Sequence, residues 1–239
     1  MTMLLRATDD GPKQPEPEVF GRLLDLDHKD ILELGCGTAQ LTRLIAEGGP
    51  GRRITALEVD RIQHDKNLAI DDLPNVHFDL AGAQAIPLDD ASVDVVFMFK
   101  SLHHVPRDMM GQAMDEIARV LRPGGVLYVS EPVYAGAFND ILKLFNDEQQ
   151  VRQAAFEAVQ AAVQRGLFQL REQVFFRSPI YFADFAEFER RIIGVTHSEF
   201  KLSPETYGEV KARFALHQTA EGVNFEQPIR VDLLQRPAD

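Results

Sequence analysis

Residues 30–38 read Asp30-Ile-Leu-Glu-Leu-Gly35-Cys-Gly37-Thr38, an apolar run that ends in a turn with two glycines. Leu41, Leu44 and Ile45 then recur at helical spacing, so the stretch predicts a strand, a tight turn and a helix. Glycine lets such a turn bend sharply and approach a ligand, and the helix start offers free N–H groups. The dinucleotide-binding pattern G-x-G-x-x-G needs a third glycine, where this chain has Gln40. The sequence therefore argues against a site that binds the pyrophosphate of a dinucleotide.

The same alternation of apolar runs and amphipathic segments continues on the C-terminal side of this turn. Further strands are predicted at 53–59, 75–80, 93–99 and 126–130, separated by helical patterns. Two more candidate strands lie at 194–200 and 228–234. Strands that alternate with helices are typical of an α/β fold, so we predict a Rossmann-like, doubly wound, seven-stranded and mostly parallel sheet. The prediction is one domain over residues 1–239.

Two regions do not follow the alternation. Residues 1–18 include a polar, proline-rich stretch that disfavours regular structure, and we interpret them as a flexible lead-in. Residues 135–190 carry helical apolar spacing and many phenylalanines, and we predict a helical insert after the fifth strand. Such an insert would serve either as additional core or as a lid over an acceptor site at the edge of the sheet.

Composition excludes several classes of function. The 239 residues include 37 acidic and 25 basic side chains, and a net charge of -12 with no Lys/Arg run argues against nucleic-acid binding. Cys36 is the single cysteine and the histidines outside 103–104 are scattered, so we expect no metal site. Without a signal-peptide pattern or an apolar run of about 20 residues, we expect a cytoplasmic protein with no membrane span.

Five motifs in order carry a family resemblance. They are Glu33-Leu-Gly-Cys-Gly-Thr38, Glu58 at the end of the second strand, Ile86-Pro-Leu88, Ser101-Leu-His-His-Val105 and Leu121-Arg-Pro-Gly-Gly-Val126. Over roughly residues 28–134 the chain resembles class I S-adenosylmethionine-dependent methyltransferases, and most closely the small-molecule group of ubiquinone/menaquinone-biosynthesis-like enzymes. The resemblance implies S-adenosylmethionine as cofactor and methyl transfer to a small-molecule acceptor.

Each cofactor role follows from the resemblance, residue by residue. Gly35 and Gly37 would pack against the methionine part, with Glu33 near its ammonium group and Glu58 on the ribose hydroxyls. The family usually has an aspartate after the third strand for the adenine amino group, where this chain has Gly82. A backbone contact from Ala83 remains available there, and Gln84 or Asp79 would have to substitute for the missing carboxylate. Lys100 occupies a position whose backbone commonly contacts the methionine part, so its side chain should turn to solvent or meet an anionic substrate.

No obligatory catalytic residue follows from the resemblance, because in-line methyl transfer depends largely on positioning. His103, His104 and Glu131 are candidate general bases for a hydroxyl or acidic carbon, and the two histidines have a structural role as the alternative. The acceptor is expected to be apolar and aromatic, or anionic. The competing interpretations are a catalytically silent cofactor- or partner-binding protein, which the missing aspartate keeps open, and an NAD-dependent oxidoreductase, against which Gln40 and the order of the later motifs argue.

Overall fold

The structure is a computed structural model that describes residues 2–195 and 200–238. Its strands are β1 (Asp30–Leu34), β2 (Arg53–Glu58), β3 (Val76–Leu80), β4 (Val93–Phe99), β5 (Leu121–Pro132), β6 (Gln169–Phe182), β7 (Gln218–Thr219) and β8 (Gly222–Gln235). Its α-helices are α1 (Glu16–Leu23), α2 (Gln40–Glu47), α3 (Arg61–Asn67), α4 (Met110–Val120), α5 (Ala137–Leu142), α6 (Gln149–Gln164), α7 (Phe185–Phe188) and α8 (Pro204–Ala215). Short 3-10 turns at Leu102–His104 and Arg107–Met109 connect β4 to α4. None of the helices in this part of the chain is long and apolar enough to cross a membrane.

One sheet runs through the molecule in the order β3-β2-β1-β4-β5-β8-β6. The first five strands along this path pair in parallel, and β8 lies antiparallel between β5 and β6. The seven-stranded, mostly parallel sheet is therefore confirmed, and the two-residue β7 adds a short pairing with β8. The carboxyl ends of β1, β2, β4 and β5 meet at one edge, which is where α/β sheets bind their ligands.

The central strand β4 explains why the sheet is covered on both faces. It is almost entirely apolar, and its side chains alternate between two buried clusters because successive residues of a strand point to opposite faces. Val96 and Met98 belong to the cluster that includes residues of α4 and α6. Phe97 belongs to the cluster that includes residues of α1 and α2. The doubly wound arrangement predicted from the alternating pattern is confirmed.

The region between residues 135 and 190 differs in part from the prediction. Helices α5 and α6 confirm a helical insert after the fifth strand. The prediction of helical structure is wrong for residues 169–182, because these residues form β6 and pair with β8 along almost their whole length. This pairing joins residues far apart in sequence, so helical apolar spacing within the segment could not reveal it. The strand predicted at 194–200 falls mostly on residues 196–199, which lie outside the described ranges, and Gly194 before them follows a π-helical turn.

The phenylalanines of this region mainly build a third apolar cluster. Phe138 of α5, Phe182 of β6, Phe188 of α7 and Phe214 of α8 are buried in it, with Phe182 and Phe188 ring centroids 5.4 Å apart. The cluster packs α5 and α8 against the long β6–β8 pair. The predicted lead-in is attached to the same strands, because Lys13 forms a parallel bridge with Arg177 of β6.

Candidate functional site

The glycine turn after β1 is fixed by hydrogen bonds to the neighbouring strand. The N–H groups of Gly35 and Cys36 both donate to the Leu57 carbonyl, at 2.9 and 3.0 Å. Gly35 has a φ of +74°, and a Cβ there would lie 2.8 Å from Cβ of Ser101. Gly37 has a φ of +52°, and a Cβ there would meet no atom of the described residues within 4 Å. The turn thus needs glycine for its backbone at both positions and leaves open space beside Gly37.

Glu33, the last-but-one residue of β1, lies beneath this turn and is 2% exposed. Its Oε2 accepts a hydrogen bond of 2.6 Å from the Thr42 hydroxyl of α2. Burial, opposed in part by this hydrogen bond and assisted by the charge of Glu58, raises the pKa of Glu33 to about 7. The group therefore holds a proton near neutrality and would ionise readily beside a cation.

Glu58 connects the end of β2 to the glycine turn. Its Oε2 accepts from the Gly37 N–H at 2.7 Å, and its Oε1 accepts from the N–H groups of Val59 and Asp60 at 2.8 and 2.9 Å. A carboxylate offers about four acceptor positions, so these three bonds leave capacity on Oε2 for a hydroxyl group. The predicted neighbourhood of Glu33, Gly35, Gly37 and Glu58 is brought together by the parallel pairing of β1 and β2.

Gly82 and Ala83 follow β3 at the same edge of the sheet. The Ala81 N–H donates to the Glu58 carbonyl at 3.1 Å, which places this segment beside the end of β2. A Cβ on Gly82 would lie 2.5 Å from Oε1 and 2.7 Å from Nε2 of Gln84. The Gln84 carboxamide thus fills the space where a side chain at position 82 would begin. Asp79, the other suggested substitute, accepts a hydrogen bond from the Leu80 N–H next to it.

Lys100 takes neither of the two orientations expected for its side chain. Its backbone is left-handed, with a φ of +54°, and its Nζ lies 3.0 Å from Oε2 of Glu16 at the start of α1. Glu16 is 4% exposed and also accepts a 2.9 Å hydrogen bond from the Tyr128 hydroxyl. Lys100 is therefore an anchor for α1 over the carboxyl edge of the sheet. Lys100 and Glu16 both line a cavity at this edge of the sheet.

A cavity of about 660 Å³ lies between this edge of the sheet and the region after β5. Its polar wall contains His103, His104, Glu148 and Arg152. The apolar wall comes from α1–α2, α5, β6 and the segment after β6, and includes Leu41, Phe138, Leu142, Phe145, Ile180, Ile192 and Phe200. Part of the phenylalanine-rich region thus lines this cavity, and part belongs to the core.

The structure places two candidate bases, His103 and Glu131, in direct contact. Nδ1 of His103 lies 2.5 Å from Oε2 of Glu131, and Oε1 of Glu131 accepts from the N–H groups of Leu102 and His103 at 3.0 and 3.3 Å. His103 is 5% and Glu131 1% exposed. Since Nδ1 faces a carboxylate, it carries the hydrogen, and Nε2 is the basic atom when the ring is neutral. His104 is exposed, and its ring centroid lies 4.1 Å from that of His103.

Charges around His103 decide its protonation. Burial lowers the pKa of His103, but the charges of Glu131 and Glu148 together with the Glu131 hydrogen bond outweigh it, and the pKa is raised. Burial likewise opposes ionisation of Glu131, but His103 and Arg230 hold the pKa of this carboxyl below its usual range. The pair therefore consists of an ionised carboxylate and a ring that binds protons more strongly than an ordinary histidine.

His103, His104 and Glu148 are close enough in space to be considered as metal ligands, because one nitrogen or oxygen of each lies within 4.8 Å of the others. Glu148 already bonds Arg152, with Nη2 2.6 Å from Oε2, and His103 Nε2 lies 3.8 Å from the same oxygen. A guanidinium at this distance opposes a second cation. We therefore assign the cluster to charge pairing around His103.

Sequence reasoning missed four of the charged residues at or behind this wall. Glu16 lies in the proline-rich stretch, and Glu148 and Arg152 lie in the helical region after the fifth strand. The sequence pattern assigned no functional role to any of the three. Arg230 lies in a run that the apolar pattern identified only as a strand. A usable signal was the charged pair Glu148 and Arg152 at i, i+4 in a mainly apolar helical section, which is typical of two side chains on one helix face.

Comparison with known proteins agrees with this geometry. Residues 32–129 match the family described as a methyltransferase domain. An uncharacterized methyltransferase of Mycobacterium tuberculosis is 38% identical over 116 residues, which are 48% of this chain and 44% of the relative. An O-methyltransferase of Penicillium expansum is 30% identical over 181 residues, 63% of each chain. A ubiquinone/menaquinone biosynthesis C-methyltransferase of Campylobacter jejuni is 32% identical over 104 residues, 42% of this chain and 43% of the relative.

A solved structure shares the fold along most of the chain. The YcgJ protein of Bacillus subtilis superposes with a TM-score of 0.60 at 15% sequence identity, covering 93% of this chain and 98% of that chain. The matched segment spans only 44% of the length of the Mycobacterium relatives, so the chain covers less than half of those proteins. The family match over residues 32–129 and these relatives support a methyltransferase domain of the class I, S-adenosylmethionine-dependent type in this segment, and the solved structure agrees with its fold.

Proposed function

We propose that this protein transfers a methyl group from S-adenosylmethionine to a hydroxyl group of an uncharged, mainly apolar small molecule. The observation that carries the proposal is the His103–Glu131 pair, whose Nδ1–Oε2 distance is 2.5 Å at the wall of a 660 Å³ cavity. A fixed imidazole beside an apolar cavity suits an acceptor that must lose a proton. The relative from Penicillium expansum, which is named an O-methyltransferase, agrees with this choice.

The residues around the glycine turn fit the cofactor. Gly37 leaves open space where a Cβ would stand, and Glu58 keeps acceptor capacity for a ribose hydroxyl. Glu33, with its pKa raised to about 7, gains stability as an anion when an ammonium group lies nearby. The carboxamide of Gln84 offers both a donor and an acceptor where the family commonly has an aspartate. The departure at Gly82 is therefore compatible with adenine binding.

S-adenosylmethionine, when bound, supplies an electrophilic methyl group on a positively charged sulfur. The protein aligns the acceptor oxygen with the methyl carbon and excludes water with the apolar wall. Nε2 of His103 would take the proton that the acceptor hydroxyl loses when its oxygen receives the methyl group. Glu131 on Nδ1 and Glu148, 3.8 Å from Nε2, then stabilise the imidazolium.

The cavity wall favours an uncharged acceptor. Among the described lining residues, each Lys or Arg is paired with a carboxylate: Lys100 with Glu16 at 3.0 Å, Arg152 with Glu148 at 2.6 Å and Arg191 with Glu187 at 3.0 Å. An anionic acceptor would have to take a cation from one of these pairs. Phe138, Phe145 and Phe200 instead offer aromatic surface, so we favour phenols and other apolar alcohols over carboxylates.

Calorimetric titration tests cofactor binding. We expect saturable binding of S-adenosylmethionine and of its demethylated product, S-adenosylhomocysteine, and none of NAD. Glu58→Ala should abolish the binding, whereas Glu47→Gln on the exposed side of α2 should leave it unchanged. Tight binding of NAD without any response to S-adenosylmethionine would disprove the proposal.

Release of S-adenosylhomocysteine tests the acceptor. A panel should pair each phenol or alcohol with the carboxylate of the same skeleton, and we expect turnover of the hydroxyl compounds. His103→Gln should lower kcat by about 100-fold or more while binding of the cofactor stays unchanged. Because neutral His103 is the active form and its pKa is raised, kcat should increase with pH until the ring is deprotonated. A fully active His103→Gln variant, or turnover confined to carboxylates, would refute the proposed chemistry.

A further inference from the structure

Arg230 lies directly behind the His103–Glu131 pair, on the strand next to β5. In the antiparallel pairing of β5 with β8, Glu131 and Arg230 are cross-strand partners. Residues directly opposite each other in a sheet have Cβ atoms about 5 Å apart and point to the same face. Arg230 is 2% exposed, so its charge acts in surroundings that water screens little.

The contacts of Arg230 leave part of its guanidinium uncommitted. Nε donates to Oδ2 of Asp232 at 2.8 Å, and Nη1 reaches the Leu5 carbonyl at 3.4 Å. Nη2 is buried and has no hydrogen-bond partner among the residues that the structure describes. The guanidinium lies 4.5 Å from the ring centroid of Phe156 on α6. Asp232 is itself engaged by Gln173, which donates from Nε2 at 2.6 Å.

A buried arginine in this position needs an explanation beyond packing. Replacing a buried ion pair by apolar residues is often neutral or stabilising, so stability of the core does not by itself account for the Arg230–Asp232 pair. Glu131 lies opposite Arg230, is fully buried and must stay ionised to hold the Nδ1 hydrogen of His103. When His103 is neutral, ready to accept a proton, its own charge no longer stabilises that carboxylate.

We propose that Arg230 is a positioning residue that keeps Glu131 ionised, and thereby keeps Nε2 of His103 as the atom that accepts the proton. This inference rests on the proposed function, in which His103 is the base. Several other groups also act on the pair. Asp232 lies beside Arg230 on β8, Glu148 and Arg152 face His103 from α6 and the residue before it, and His104 is adjacent in the turn.

Two substitutions should have opposite effects on the histidine ring. Arg230→Met removes the positive charge behind Glu131, so the His103–Glu131 pair holds its proton to higher pH. Asp232→Asn removes the negative charge that offsets Arg230, so the pair releases its proton at lower pH. A purely structural role for the Arg230–Asp232 pair predicts no such opposition, because either change would only loosen the same contact.

The test is an NMR titration of the histidine rings in the free protein, with no cofactor or acceptor. His103→Gln assigns the signal of His103, and the exposed ring of His77 is the internal reference. We expect the midpoint for His103 to rise by about one pH unit in Arg230→Met and to fall in Asp232→Asn, relative to wild type. Arg230→Lys should stay closer to wild type than Arg230→Met.

Equal midpoints in wild type and folded Arg230→Met, or shifts of the same sign in Arg230→Met and Asp232→Asn, would overturn the inference. If Arg230→Met does not fold, Asp232→Asn decides by itself: a lower midpoint supports the proposal and an unchanged one overturns it. Since the titration needs neither methyl donor nor acceptor, its outcome is separate from the success or failure of the proposed methyl transfer.

Discussion

Replacing Glu33 by glutamine tests whether the carboxyl group beneath the glycine turn makes the fold sensitive to pH. Glu33 is 2% exposed, and burial raises its pKa from 4.5 to about 7. In the unfolded chain the group loses its proton near 4.5, whereas in the folded protein it keeps the proton until about 7. Between these values the folded state binds more protons, so the free energy of unfolding falls as pH rises.

The expected size follows from the two pKa values. A gap of about 2.5 units, from 4.5 to about 7, corresponds to about 3 kcal/mol of stability lost above pH 8. For a chain of 239 residues, each kcal/mol moves Tm by roughly 2–4 °C, so the loss amounts to roughly 10 °C. Glu33→Gln carries no ionisable group and can still accept the Thr42 hydrogen bond, so it should escape this loss.

The assay is thermal unfolding followed by circular dichroism at pH 5 and pH 8.5. We expect wild type and Glu33→Gln to have similar Tm values at pH 5, and the variant to be more stable by about 3 kcal/mol at pH 8.5. Titration of the remaining groups is common to both proteins and cancels in the difference. Glu47→Gln, on the exposed side of α2, is the matched control and should show the wild-type pH dependence. Parallel pH profiles for wild type and Glu33→Gln would refute the reasoning.

Three further predictions concern the rest of the site. Gln84→Ala should weaken binding of S-adenosylhomocysteine by about 1 kcal/mol, roughly fivefold in Kd by calorimetry, and an unchanged Kd would exclude a contact with the adenine. Gly35→Ala should lower the free energy of unfolding in urea by more than Gly37→Ala, because only the first adds a contact of 2.8 Å with Ser101 to about 1–2 kcal/mol of backbone strain; equal losses would contradict this. Lys100→Met should destabilise the fold by roughly 2 kcal/mol, since it leaves buried Glu16 without its cation, and adding Glu16→Gln should recover part of the loss in the same assay.

The glycine turn and the position of Glu58 beside it could be predicted because short-range sequence signals define them. Two glycines after an apolar run require a tight turn, and Glu58 at the end of the next strand must lie beside it in a parallel sheet. The pairing of β1 with β2 and the hydrogen bond from Gly37 to Glu58 follow that logic. The doubly wound, mostly parallel sheet also followed from the alternating pattern, since parallel neighbours connected by helices leave few topologies.

The cavity wall formed by the region after β5 could not be predicted to the same extent, because it depends on contacts between distant residues. Strand β6 has little alternation of its own, and it is a strand because β8 offers a long partner. Glu16 reaches Lys100 from 84 positions away, a distance that no local pattern reports. Helical spacing within 135–190 therefore predicted α5 and α6 correctly, but it also predicted helix for the residues that form β6.

The position of the ionisable groups in the sheet explains how a largely apolar core can contain a proton acceptor. His103 follows β4, Glu131 ends β5 and Arg230 lies on β8, and these three strands are consecutive neighbours. Parallel pairing of β4 with β5 brings the histidine turn to the glutamate, and antiparallel pairing of β5 with β8 brings the arginine behind it. A row of alternating charge thus crosses the sheet from the cavity into the core, so each buried charge faces one of opposite sign, as low-dielectric surroundings require. The antiparallel strand between β5 and β6 therefore completes the site as well as the sheet, because it carries the cation behind Glu131.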